Sequence, residues 1–341
     1  MGAVQQQDYG FFGPDSVTWR VWGYPTSILL GFLRAVVVEE LDPYLVASVE
    51  QSGQVKARPK LRYDRTMQYF ATIGFGDAES AVRAADTLMK IHSRAVGHDP
   101  VTGNRFDAND PASQLWIHLT AWHSILYTYE VFGPGKLSAS DEARYWEECA
   151  RAAAFQTIDP ADVPRSRDGV RAYFAAYRPR LVGSEVAQDM MDFLLDASTT
   201  VLPDAMPRPL RTLVNAVARR AIIATMPRWM RKLGATTQSP LTDRLAIALT
   251  RPVVRGAARS RRLQLRALRL ASPRTAPILE PVLYGRVPVA PVVRDPAEAH
   301  AAYGVVEPRA QYAALLEARA RHAAPSPYPR HHGEPLLSFT G

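Results

Sequence analysis

Cysteine is almost missing from this chain: among 341 residues Cys149 stands alone. One thiol excludes an internal disulfide and a thiolate metal cluster within a single chain, and it fits a reducing, cytoplasmic setting. It lies in Tyr145-Trp146-Glu147-Glu148-Cys149-Ala150, which reads as a buried helical thiol and not as a nucleophile. Long apolar runs are scarce too. The best candidate, Ile28 to Val38, contains Arg34 and is closed by Glu39-Glu40, so it is too short and too charged to span a bilayer and is expected to be a core helix. The first ten residues lack the basic and apolar regions of a secretion signal, so no targeting segment is expected. A Gly-rich phosphate loop, a Gly-x-Ser-x-Gly elbow and a His-Glu-x-x-His pair are all absent, which argues against nucleotide-dependent and hydrolytic chemistry.

Acidic residues are unevenly missing. Between Arg208 and Arg274 only Asp243 opposes fifteen arginines and Lys232, about +15, whereas the whole chain carries +8, so the remainder is about −7. Arg219-Arg220, Arg259 and Arg261-Arg262 are interleaved with apolar residues at helical spacing. Amphipathic basic helices of this kind suit an anionic membrane surface, carboxylate-bearing cofactors or phosphates, or are simply a solvated face. No DNA-reading module accompanies them, and no nucleic acid partner is expected.

What the chain has in abundance is helical periodicity. Hydrophobic residues make up 47% of it, and most long segments repeat apolar positions at i, i+3, i+4 and i+7, so the fold class is all-α. A helix from Val17 to Trp22 is capped by Asp15 or Ser16; Pro25 opens one towards Glu40, and Asp42-Pro43 another through Glu50. The Arg62 helix ends near Gly74-Phe75-Gly76, and Asp77 caps the helix that His92 closes. Gly97 to Asn104 is dense in turn formers, and Asp110-Pro111 begins a long apolar helix ending at Phe132. Further helical patterns run from Ser138 to Ile158, Ser166 to Leu181, Ser184 to Ser198, Arg208 to Gly234 with a break at Pro227, and Pro240 to Leu270. Prolines beyond Ser272 exclude another long helix until Arg309 to His322, and the tail after Pro325 has the composition of a disordered segment. The expected organisation is an extended start over 1–15, one large helical domain over 16–290, and a C-terminal extension over 291–341.

Two helices carry the chemistry-bearing residues. One presents Arg62, Arg65, Thr66 and Tyr69 at i, i+3, i+4 and i+7; the other ends at His92, with Leu88, Ala85 and Ala81 on the same face. An imidazole facing a guanidinium, hydroxyl and phenol, with small residues between, could enclose a flat prosthetic group. A histidine at a helix end also serves as a simple partner for the helix dipole. His118, in the long apolar helix with Leu115, Trp122 and Ile125, is the rival ligand or a hydrogen-bonding neighbour. His331-His332 in the tail is weak ground for any metal site.

The order and spacing of several short pieces resemble the family named for the rubber oxygenase (latex clearing protein) and the MpaB oxygenase catalytic domain. They are Trp19-Arg20-Val21, Leu41-Asp42-Pro43, Arg62-x-x-Arg65-Thr66-x-x-Tyr69, Phe75-Gly76-Asp77, Leu88-x-x-Ile91-His92-x-x-Val96-Gly97 and Leu115-Trp116-Ile117-His118, within a similarity from about Thr18 to Pro288. The resemblance implies a globin-like helical bundle holding heme b by one histidine, and oxygen insertion into alkene double bonds. It places His92 as the proximal iron ligand, Arg62 and Thr66 in the pocket, and Arg65 where the rubber oxygenases have a distal lysine. Arginine stays protonated and offers no lone pair to iron, so Arg65 is expected to donate a hydrogen bond to dioxygen instead. The family's acid-base glutamate falls to Glu50, with Glu39 and Glu40 behind it. The expected protein is therefore a heme-dependent oxygenase acting with O₂ on an apolar, isoprenoid- or lipid-like substrate. The competing expectation is a non-catalytic bundle that binds lipid or a membrane surface through the 208–274 region.

Overall fold

The computed structural model describes residues 5–322; the tail after Pro325 and the His331-His332 pair lie outside them. The chain is all-α apart from one small hairpin. Its first half runs α1 (Val17–Trp22), a π-helical turn (Ser27–Gly31), α2 (Phe32–Glu39), α3 (Pro43–Ser52), α4 (Gln54–Ala57), α5 (Pro59–Phe75) and α6 (Ala78–His92). The hairpin β1 (Val96–His98) and β2 (Arg105–Asp107) pairs antiparallel with Gly97 opposite Phe106. Then follow α7 (Pro111–Phe132), α8 (Ala139–Ala152), α9 (Arg167–Tyr177), α10 (Glu185–Leu195), α11 (Ala197–Thr200) and α12 (Arg208–Thr225). The last stretch holds α13 (Arg228–Leu233), α14 (Pro240–Ala258), α15 (Arg261–Ala271), α16 (Ala276–Tyr284), α17 (Pro296–Ala302) and α18 (Pro308–His322).

Local chemistry sets most of these boundaries. Ser16, Asp42, Asp77, Asp110, Ser138, Ser166 and Ser184 each turn a side-chain oxygen onto free N–H groups at a helix start, an interaction worth about 1 kcal/mol per cap. Pro227 splits α12 from α13, because its ring cannot share space with the preceding helical turn. Four segments end earlier than periodicity predicts: α8 tightens into a 3₁₀ turn at Ala153, α9 does so at Arg178, α10 stops at Leu195 before Asp196 caps α11, and α14 stops at Ala258 before Ser260 caps α15. The helix expected from Pro25 begins instead as the π-helical turn. There Gly31 lies against α7 so closely that a Cβ would meet Ile125 Cα at 3.1 Å and Thr128 Oγ1 at 2.9 Å.

The long helix α7 is the spine. Trp122, Ile125 and Tyr129 face a core built with α1, α5, α6 and α8, whereas Trp116 and Phe132 face a second core with α2, α10 and α12. The helix that ends at His92 is pinned at both ends. Asp8 accepts from Ala78 N at 2.8 Å and pairs with Arg294, while Tyr9 N and Ala290 N bond Val292 O and Gln7 O across the two extended chain segments. At the other end Arg319 of α18 bonds Asp107 and, at 2.8 Å, the Ser93 carbonyl. The segments before Val17 and after Arg286 thus hold α6 in place.

Candidate active site

Between α2, α3, α5, α6 and α7 lies a largely apolar cavity of about 240 Å³. Phe32, Val36, Val49, Met67, Phe70, Ile91 and Ile117 form its walls, and Arg62, Thr66, His92, Glu39, Glu40 and Gln114 bring polar groups to it. Near its mouth Tyr63 donates to the Ile28 carbonyl at 2.6 Å. Ile28 belongs to the π-helical turn, and turns of this kind recur at functional sites.

His92 and Arg62 meet across this space. Burial, and secondarily the Arg62 charge, push the His92 imidazole down to about 4, so the ring is neutral near pH 7. Its Nδ1 lies 3.4 Å from Gln114 Nε2, which also donates to Ala108 O at 3.0 Å and Asn109 Oδ1 at 3.2 Å. Gln114 is itself fixed, because Thr157 N donates to its Oε1 at 3.0 Å. Both amide hydrogens of Gln114 are taken by Ala108 O and Asn109 Oδ1, and the imidazole itself donates to the Ala108 carbonyl, so the ring hydrogen lies on the Nδ1 side and Nε2, without a hydrogen-bond partner among the described residues, keeps its lone pair. A neutral imidazole with one nitrogen oriented by protein and the other free is the donor that a metal or heme iron needs.

Arg62 is half-buried and forms no ion pair within 4.0 Å among the described residues; desolvation lowers its affinity for a proton, with Glu40 opposing. Glu40 is 3% exposed and its Oε2 has no hydrogen-bond partner. Burial first, then Glu39, raises its carboxyl well above the ordinary range. Glu39 is pushed up to about 8 by burial, although Thr120 donates to its Oε1 at 2.7 Å. Thr66 donates back to Arg62 O at 2.9 Å, leaving its oxygen as an acceptor beside the guanidinium.

The remaining residues singled out from sequence take other places. Arg65 does not line the cavity; it sits among Arg58, Arg274 and Asp64, with Nε buried and unpartnered. Successive helical residues point about 100° apart, so with Arg62, Thr66 and Phe70 turned inward, Arg65 passes beyond the edge of that face. Glu50 pairs with Lys56 at 2.6 Å and does not line the cavity, although its charge reaches Glu40, which does line it together with Glu39 and Arg62. Ala85 is fully buried in the core, two turns or about 10 Å along α6 from His92; Leu88 and Ile91 are the α6 residues beside the imidazole in the cavity. His118 borders a separate small void, with Nε2 at 2.8 Å from Cys149 O. That nitrogen is thereby committed to the backbone of α8. Gln114 went unrecognised from sequence, though it precedes His118 by one turn and is a polar residue at the start of an otherwise apolar helix. Cys149 is buried, and its thiol is pushed well up by burial, which keeps it protonated and inert.

No group of three or more His, Cys, Asp or Glu residues able to hold a bare metal ion occurs among the described residues, so a single-histidine ligand set suits a prosthetic group that brings its own donors. Compared with known families, residues 19–257 match the one described as ER-bound oxygenase mpaB/B'/rubber oxygenase, catalytic domain. Comparison with curated proteins and with solved structures returns no match. The match covers more than half of the chain, and the protein belongs to that family.

Proposed function

We propose that this member of the mpaB/rubber oxygenase catalytic-domain family is a heme-b oxygenase that uses dioxygen on an apolar, isoprenoid- or lipid-like substrate. The observation that carries the proposal is the neutral His92 imidazole, oriented through Nδ1 and free at Nε2, opening onto an apolar cavity that also holds an unpaired arginine. His92 would hold the iron, and Leu88 and Ile91 would flank the macrocycle. A bound heme supplies the redox-active iron needed to activate dioxygen.

Each polar residue then has a task of its own. Arg62 supplies the positive charge that heme propionates or a developing oxyanion require. Glu40, held towards its protonated form, can keep a proton at its unpartnered Oε2 and exchange it with substrate, as a general acid or base does when its ionisation is displaced towards neutrality. Thr66 orients a neighbouring polar group through its free lone pair. Phe32, Met67, Phe70 and Ile117 exclude water and accept a hydrocarbon chain. Arg65 lies outside this set, so direct donation from its guanidinium has no part in the reading.

Protein produced with an ample heme supply should show a Soret band at one heme per chain. His92→Gly should lose it and regain it on addition of imidazole, whereas His118→Ala should retain it. A wild-type protein without heme absorbance, or a His92→Gly protein with a full complement of it, would refute the reading.

A second reading concerns the outer face of α12 and α14. No helix among the described residues is long and apolar enough to cross a membrane. Leu241, Leu245, Leu249 and Val253 nevertheless follow one another every fourth residue along α14 and are all exposed, Val253 by 70%, with Leu210 and Leu213 exposed on the adjoining α12. Arg244, Arg251 and Arg255 stand beside this stripe. Exposed leucines flanked by arginines suit the surface of an anionic bilayer, where an apolar substrate would also reside. The protein should co-sediment with phosphatidylglycerol vesicles but not with phosphatidylcholine vesicles, and Leu245→Asp with Leu249→Asp should release it. Binding that survives both changes would remove this face from consideration.

A further inference from the structure

A second concavity, of about 440 Å³, lies between α2, α7, α9 and the junction of α12 with α13. Arg34, His123, Tyr127, Arg171, Arg228 and Arg231 are among its lining residues, and no carboxylate lines it. Arg34 is the unusual member. It interrupts the apolar run of α2 and is 3% exposed, yet no carboxylate of the described residues pairs with it. The nearby acids are committed elsewhere: Glu130 and Glu142 to Arg167, Asp168 to Arg171, and Asp243 to Arg231. Arg228 is exposed and also without an ion-pair partner. Two uncompensated cations therefore face one concavity.

Arg34 is held in a fixed direction. Its Nε and Nη2 donate to Thr225 O at 3.4 and 3.3 Å, its Nη1 to Ser124 Oγ at 2.6 Å, and its guanidinium lies 5.2 Å from the centre of the Tyr127 ring. His123 Nδ1 is 3.5 Å from Nη1. The three surrounding arginines, Arg34, Arg167 and Arg171, hold this imidazole well below its ordinary range, after burial itself, so it is neutral. A neutral ring that turns Nδ1 to a guanidinium carries its hydrogen on Nε2. Even with all these contacts made, at least one of the five guanidinium N–H groups remains free. A buried cation without a counterion is costly, and it persists where a ligand supplies the missing charge.

We propose that this concavity is an anion site for a phosphate-class oxyanion, a phosphate monoester or inorganic phosphate, separate from the His92 cavity and independent of the heme reading. Donors arriving from different helices, Arg34 from α2, His123 from α7 and Arg228 from α13, suit a tetrahedral oxyanion better than a flat carboxylate, which one guanidinium can satisfy alone.

Calorimetric titration of the purified full chain with inorganic phosphate, at constant ionic strength, tests the site. Saturable binding at one ion per chain is expected, weakened about tenfold in Arg228→Ala, which alters an exposed side chain and leaves packing intact. Arg34→Gln should weaken it further, and Arg262→Ala, in the same basic region but outside the concavity, should not. Glycerol 3-phosphate and dioctanoyl phosphatidic acid separate the sources: tighter binding of the lipid points to a headgroup, and equal binding to a soluble phosphate ester. Absence of saturable binding, or equal affinity in wild type, Arg228→Ala and a folded Arg34→Gln, would overturn the proposal.

Discussion

Replacing Glu39 by glutamine should make the protein more stable, and by an amount that depends on pH in a definite direction. An ordinary glutamate ionises near 4.5, whereas burial in α2 raises Glu39 to about 8. The folded state therefore binds this proton more tightly than the unfolded chain does. Below pH 4.5 both states are protonated and the group contributes nothing; as pH rises the unfolded chain ionises first and stability falls, until the loss is complete above pH 8. With one decade of affinity equal to about 1.4 kcal/mol, the penalty is about 1 kcal/mol at pH 5 and about 3 kcal/mol at pH 7. Glutamine removes the ionisation and keeps an oxygen for the Thr120 hydroxyl. The absolute gain also contains the cost of housing a new amide, so the difference between the two pH values is the cleaner quantity. Urea unfolding should show Glu39→Gln gaining about 2 kcal/mol more over wild type at pH 7 than at pH 5, or about 3 °C more in thermal midpoint for a chain of this length. A gain equal at both pH values would show that Glu39 is not the buried acid described above.

Two further substitutions separate the site from its surroundings. In the heme-loaded protein, Glu40→Gln should diminish a pH-dependent change in the absorbance spectrum that Glu50→Gln leaves in place, since Glu40, unlike Glu50, lines the cavity with Arg62; the reverse pattern would return the acid-base role to Glu50. Gly31→Ala should cost about 1–3 kcal/mol in urea unfolding, because the new Cβ would press on the Ile125 backbone at 3.1 Å, which cannot swing aside as a side-chain tip can. No measurable loss would mean that α2 and α7 have room to separate.

Helix starts and stops were legible because they depend on neighbours in sequence. Asp77 and Asp110 cap the helices that periodicity places after them, and Pro227 breaks α12 where its ring must. The position of His92 was legible through the motif series, and its neutrality was not, since that follows from burial among residues far away in the chain. Arg65 shows the limit of a helical wheel. The spacing of Arg62, Arg65, Thr66 and Tyr69 defines a stripe, but only packing decides which edge of the stripe meets the cavity, and the outer edge here carries Arg65 towards Arg274. Glu50 shows another: helical spacing places an acid near the site, but its ion pair with Lys56, six residues on, is visible only in the folded chain. A signal for the carboxyls that line the cavity did exist, because Glu39-Glu40 closes an otherwise apolar run, where two carboxylates are expensive to bury. The π-helical turn at Ser27 had no comparable signal; its geometry comes from the close approach of Gly31 to α7.

The same physical cost links both concavities. In the first, burial displaces Glu39 and Glu40 upward and His92 downward, so each moves towards its neutral form and Arg62 is left as the charge that an incoming group must answer. In the second, burial lowers Arg34 only to about 10, which leaves it protonated near pH 7, while His123 is driven neutral. Histidine and the carboxyls can shed the expense of burial by changing protonation, whereas a guanidinium cannot. An unpaired, desolvated arginine therefore points more strongly to an absent anion than any displaced carboxyl points to catalysis. On that ground Arg62 and Arg34 mark two separate places where this fold awaits negative charge, one beside the candidate heme ligand and one on the far side of α2.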